Sequence, residues 1–217
     1  MPTTHGEQTG AINRDSQAYW NKRAATFTRG ATGEYERWLM ELLALEEGEE
    51  VLDMGCATGT LAVPLARAGH RVHGCDFAEA MLAILDERAT TEKLPISSHL
   101  LAWEDDWEAA GLGVNSVDVA FASRSLMSGD VPSSVRKLDS AARSKAAVVV
   151  PASLLPSRDP RLLTYLGRAA RSPRVVRDVG RALAAVGRVP AYATTRTYRP
   201  MRFSSFDEAR SDLRRLA

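Results

Sequence analysis

The sequence predicts an α/β protein: a doubly wound, mostly parallel sheet of about seven strands, with helices on both faces and a helical cap ahead of the first strand. Three observations predict it. Short apolar or β-branched runs at 51–54, 71–75, 98–103, 117–122 and 146–150 alternate with helical patterns. The first run ends in a glycine-bearing turn, Asp53-Met54-Gly55-Cys56-Ala57-Thr58-Gly59. The second is followed at once by a carboxylate, Asp76, 21 residues beyond Gly55.

Taken in order, residues 1–12 lack periodicity and read as a leader. From Asp15 to Leu45 the pattern is helical, with Tyr19, Trp20 and Arg23 on one face, a break at Thr32-Gly33-Glu34-Tyr35, and an apolar stripe of Trp38, Leu39, Leu42 and Leu43. Helices are expected over 60–68, 78–89 and 132–143, between the strands. Beyond Pro151, helices are expected over 161–170 and 175–186, and a strand over 191–198 with 200–203 as its hairpin partner. Ser205 with Glu208 three residues on then marks a last helix start. The whole of 1–217 is expected to be one domain. Residues 13–46 form the cap, 48–151 the nucleotide-binding core, and 152–217 complete the sheet and flank the second substrate.

Composition is that of an ordinary globular chain: 217 residues, 45% hydrophobic and 25% charged. No apolar run approaches the roughly 20 residues that span a bilayer. The opening MPTTHGEQTG has no apolar signal core. Cys56 and Cys75 are the only cysteines, too few for a disulfide scaffold and without metal-ligand spacing. A reduced, cytoplasmic, metal-free protein with no membrane contact is therefore expected, as a monomer or homodimer. The net charge of +1 conceals a division. Residues 154–217 hold 14 Arg and no Lys against 5 acidic residues, a charge of +9, which leaves −8 on residues 1–153. Such a basic segment is either a solvated surface or a recruiter of an acidic substrate or partner.

The turn carries the chemistry. Gly55 and Gly59 suit a place where a ligand approaches bare backbone. The helix start beyond them suits a carboxylate, and Asp53 offers a negative charge to an ammonium. A ligand bearing both groups on one carbon is an amino acid. Asp76 is placed to accept two ribose hydroxyls. Helix capping is the competing reading for both Asp53 and Asp76. A dinucleotide is disfavoured, because Ala57 stands where the G-x-G-x-x-G fingerprint needs its second glycine.

At these residues the chain resembles the class I S-adenosylmethionine-dependent methyltransferases, over about residues 15–151. Residues 51–62 resemble the first family motif, 74–82 the second, and 117–125 the fourth strand with its loop. The resemblance implies a Rossmann-like fold with S-adenosyl-L-methionine as cofactor and S-adenosyl-L-homocysteine as product. It implies that Asp53, Gly55 and Gly59, with Cys56, Ala57 and Thr58 between them, hold the methionine end. Asp76 would take the ribose, and Phe77 and Met81 the adenine. An acidic residue after strand three would meet the adenine amino group: Asp105 first, Glu104 second, with Trp103 along the ring edge. Trp20 and Arg23 resemble the lid helix of small members, Arg23 reaching the methionine carboxylate. Ser123 would border the cofactor and Arg124 the acceptor.

Methyl transfer from a sulfonium needs positioning more than acid–base chemistry, and no base is assigned. His73 and His99 are expected in the core, and Arg124 remains protonated. A small-molecule acceptor is the first expectation, and an RNA or protein acceptor the second. Nucleic acid is not favoured, since 122–126 reads Ala-Ser-Arg-Ser-Leu and carries no Asn/Asp-Pro-Pro signature. A cofactor-binding sensor without catalysis is the third.

Overall fold

The computed structural model describes residues 16–27, 33–126, 129–151, 165, 174–196 and 203–214. Two helices, α1 (Gln17–Ala24) and α2 (Glu34–Leu43), precede the sheet. The core then runs β1 (Glu50–Met54), α3 (Ala62–Arg67), β2 (Arg71–Asp76), α4 (Glu79–Glu92), β3 (Ile96–Leu100), β4 (Val117–Ser123), α5 (Val131–Ala141) and β5 (Ala142–Val149). Two further helices, α6 (Arg174–Ala185) and α7 (Phe206–Arg214), follow.

All strand pairs are parallel, in the order β3-β2-β1-β4-β5. The order reverses between β1 and β4, and a crevice opens at the carboxyl ends of strands at such a switch point. Successive residues of β1 serve opposite layers, as the period of two demands. Val51 packs with Leu39 and Leu43 of α2, Val63 and Leu65 of α3, and Leu82 and Leu85 of α4. Leu52 and Met54 pack on the other face with Leu138 and Ala141 of α5 and with Trp103, Trp107 and Leu112 of the long β3–β4 connection.

Four sequence expectations change. The described sheet has five strands, not seven. The third strand covers 96–100 instead of 98–103, so Trp103 falls in the following connection. Residues 191–196 form no strand and are exposed, while 197–200 lie outside the described residues. Alternation in that stretch has no described neighbour strand to pair with. His73 and His99 are not core residues: they lie side by side on β2 and β3, Nδ1 to Nε2 at 3.0 Å, and His73 Nε2 meets Glu50 Oε1 at 2.9 Å. Of the expected helix 161–170 only Tyr165 is described.

Among the described residues nothing pairs with the outer edge of β5. Its first half carries Arg143 and Lys145, and its second half runs Ala146-Ala147-Val148-Val149. Lys145 Nζ reaches across to the Leu43 carbonyl at the end of α2. No described helix is long and apolar enough to cross a membrane.

Candidate cofactor site

The site is built at the carboxyl ends of β1, β2 and β4. The turn after β1 is pinned to β2, with the Gly55 and Cys56 N–H groups both donating to the Cys75 carbonyl at 2.7 and 2.9 Å. Gly55 and Gly59 have φ of 81° and 82°, a region that favours glycine, and Ala57 shares it at 49°. The space each glycine leaves is filled by protein. A Cβ on Gly55 would stand 2.1 Å from the Ser125 Cβ, and one on Gly59 would stand 2.5 Å from Leu85 Cδ1 of α4. The β4 loop packs closely against Gly55, and α4 against Gly59. Arg88 of α4 tightens that contact by donating from Nη1 to the Thr58 carbonyl at 2.7 Å.

Asp53 is 2% exposed, and its Oδ2 has no hydrogen-bond partner. Its other contact is the Ala62 N–H at the start of α3. Burial, and then the neighbouring Asp76, push its carboxyl up to about 8. Asp76 is buried and joins two elements: Oδ2 accepts from Ala57 N–H and Oδ1 from Ala78 N–H, each at 2.9 Å. Burial raises its pKa while these backbone donors lower it. Both carboxylates thus make a helix-start contact and still hold acceptor capacity, since a carboxylate has about four lone-pair sites.

Thr58 Oγ1 and Trp20 Nε1 are also buried without a partner. Trp20 arrives from α1, which docks by Gln17 Nε2 to the Phe77 carbonyl (2.7 Å) and by Asn21 Oδ1 accepting from Ala80 N–H (3.0 Å). Trp20, Ala24, Ala57, Ala78 and Met81 form one apolar cluster. Met81 is therefore covered by α1, whereas Phe77 is half-buried at the mouth of the turn. Arg23 is exposed, outside this docked face.

After β3 the acidic residues point into their own loop. Asp105 Oδ2 accepts from Ala102 N–H at 2.8 Å and Asp106 Oδ1 from Ala109 N–H at 3.1 Å, while Glu104 is exposed. Trp103 turns inward, with its ring 5.5 Å from that of Trp107 and its Nε1 donating to the Ser125 carbonyl at 2.9 Å. Lys137 of α5 holds this loop through the Trp103 and Asp105 carbonyls.

At the end of β4, Ser123 Oγ and the Tyr35 hydroxyl of α2 are 2.5 Å apart, and Arg124 lies over the Tyr35 ring. Ser125 Oγ donates to the Met54 carbonyl. Tyr35, Arg88, Ser125 and Lys137 escape the sequence reading. Only Tyr35 had a signal there, as the aromatic residue that restarts a helix after Gly33.

Of the Arg-rich segment, Arg177 and Arg181 are exposed on α6, and Arg188 pairs with Asp139 of α5 at 3.2 Å. A shallow recess lined by Gly129, Val131, Pro132, Asp178 and Arg181 lies between α5 and α6 and shares no residue with the glycine turn.

A parallel sheet with this strand order, a glycine turn leaving β1 and a buried carboxylate closing β2 define a Rossmann-like nucleotide-binding domain. Residues 51–147 match the family described as the methyltransferase domain, and over that stretch the chain is similar to S-adenosylmethionine-dependent methyltransferases. It is 31% identical over 130 residues to an uncharacterised Haemophilus influenzae protein, covering 58% of this chain and 47% of that one. It is 35% identical over 81 residues to the Mus musculus glycine N-methyltransferase, covering 37% of this chain and 28% of that enzyme. The chain thus matches less than half the length of these relatives. In fold it resembles a solved Methanococcus maripaludis protein assigned as an S-adenosylmethionine-dependent methyltransferase. The TM-score is 0.59 at 14% identity, covering 82% of this chain and 88% of the other.

Proposed function

We propose that this chain binds S-adenosylmethionine at the β1 turn and transfers its methyl group to a small-molecule acceptor. The observation that carries the reading is the set of three orphaned buried polar atoms around one turn: Asp53 Oδ2, Thr58 Oγ1 and Trp20 Nε1. An unsatisfied buried polar atom costs about 1–3 kcal/mol, so three together imply an absent polar partner. The donor set fits the cofactor. Asp53 would take the ammonium, Thr58 a neighbouring polar group, Asp76 the ribose hydroxyls, and Phe77 the adenine face. When bound, the cofactor supplies a methyl group already activated on a sulfonium. The chain's own task is then to orient, to exclude water and to place the acceptor in line. Residues 13–46 serve as cap, 48–151 as cofactor core and 152–217 as acceptor side. The small acceptor is supported by the glycine named for the mouse relative.

The test is calorimetry of the full chain with S-adenosylmethionine, S-adenosylhomocysteine and NAD, repeated on Thr58→Val. The variant removes an unpartnered hydroxyl at constant shape, so the free protein should melt at the same or a higher temperature. Cofactor affinity should nevertheless fall about fivefold. Binding of NAD in preference, or unchanged affinity in Thr58→Val, overturns the assignment.

A further inference from the structure

On the acceptor side of the switch point, the geometry points to a second subsite: we infer that the Arg124 guanidinium, braced on the Tyr35 ring, receives a carboxylate carried by the methyl acceptor. This subsite presupposes the methyl-transfer reading and names its substrate class.

Arg124 is held in a conformation that side chains rarely adopt, with φ of 58°. Its N–H donates to the Val149 carbonyl at 2.8 Å, which ties the loop after β4 to the end of β5. Its guanidinium carbon sits 4.5 Å from the Tyr35 ring centroid. Tyr35 is itself fixed, by Trp38 at 5.9 Å between centroids and by Ser123 Oγ at 2.5 Å. A strained backbone kept by several anchors is a frequent property of binding residues. The cation it presents is exposed, and no described carboxylate lies within ion-pair distance of it.

Place and charge both favour an acceptor group. Ser123 ends β4 two residues beyond Phe121, which is in register with Asp53 on β1. Ser125, the residue after Arg124, donates from Oγ to the Met54 carbonyl and fills the space over Gly55, so the cluster borders the proposed methionine site. A guanidinium carries five N–H donors, more than its contacts with the Tyr35 ring and hydroxyl use, so donors remain for a planar carboxylate. One guanidinium supplies a single positive charge, which matches a monoanion and leaves a phosphate dianion half neutralised.

The probes are benzoate, benzamide and inorganic phosphate, added to the full chain saturated with S-adenosylhomocysteine. The readout is the Arg124 Nε–Hε resonance in arginine-labelled protein, assigned by its loss in Arg124→Lys. Benzoate should shift it saturably, while benzamide and phosphate leave it in place. Arg124→Gln, which lacks that reporter and is followed by calorimetric titration of benzoate, should weaken benzoate binding about tenfold or more. Tyr35→Leu should weaken it several-fold, and Tyr35→Phe, which keeps the ring, less than twofold. Homocysteine-product affinity is measured on the same samples. If the product fails to bind the wild type, the methyl-transfer reading falls. If it binds but benzoate causes no shift, or benzamide or phosphate matches benzoate, or Arg124→Gln binds benzoate normally, the carboxylate subsite alone is wrong.

Discussion

At the residue scale, Asp53 connects pH to both stability and binding. Its folded pKa, near 8, lies above the ordinary carboxylate value of 3.8. The folded state therefore holds this proton more tightly than the unfolded chain. The stabilisation is full below about pH 4 and is lost as pH rises through 8. Asp53→Asn should flatten that slope, seen as a melting temperature that changes less between pH 5 and 8 in the free protein. A cation arriving at Oδ2 would restore the carboxylate, so cofactor uptake at pH 7 should release a proton in the wild type only. Calorimetry in buffers of different ionisation enthalpy reads that release. Asp76 should behave otherwise. Asp76→Ala should lower affinity and melting temperature together, because the carboxylate also holds Ala57 and Ala78 at about 1–3 kcal/mol for each donor left unpaired. Asp53, Gly55, Gly59 and Asp76 are legible in the sequence because turn chemistry and strand ends are local. Ser125 and Tyr35 are not. Ser125 acts on Met54 across 71 residues, and Tyr35 meets Ser123 across 88. Gly55→Ala, inert by composition, should lower the melting temperature by several degrees through its collision with Ser125, checked by calorimetric scanning.

At the scale of elements, α1 is attached to the core by few bonds and by the underside of Trp20. Its Trp20 and Ala24 cluster with Ala57 of the turn and with Ala78 and Met81, apart from the two larger clusters of the core. Gln17→Ala combined with Asn21→Ala should raise the cofactor dissociation constant several-fold while moving the global melting temperature little. Paired binding and melting curves decide it, and a large loss of stability with normal affinity would assign α1 to the core instead. Periodicity locates α1, α2 and α4 to within a few residues. It misplaces the end of β3, because Ser98-His99-Leu100-Leu101-Ala102-Trp103 reads as an unbroken strand. Leu100 is half exposed and Trp103 is buried, yet Trp103 gains its burial from Trp107 and the β4 loop, contacts that strand patterning does not encode.

At the scale of the molecule, both thiols lie inside the sheet–helix interface. Burial, with Asp53 and Asp76 nearby, raises Cys56 and Cys75 well above the usual thiol value. Native protein should resist a disulfide reagent at pH 8, and both residues should label together at the rate of global opening. Fast labelling of Cys56 alone would mean that the glycine turn opens on its own. Of the described arginines in the basic segment, Arg188 is paired with Asp139 of α5, whereas Arg177 and Arg181 are exposed on α6. The outer side of β5 bears on how the protein is handled. Ala146 to Val149 offer a sheet margin without a charge, and the chain as a whole carries only +1 with a pI near 7.8. Near that pH mutual repulsion vanishes, and among the described residues of β5 Arg143 is paired with Asp118 and Lys145 is turned to the Leu43 carbonyl, which leaves little free charge along this margin. Shelf life in buffer should therefore lengthen on either side of pH 7.8, with turbidity greatest close to it.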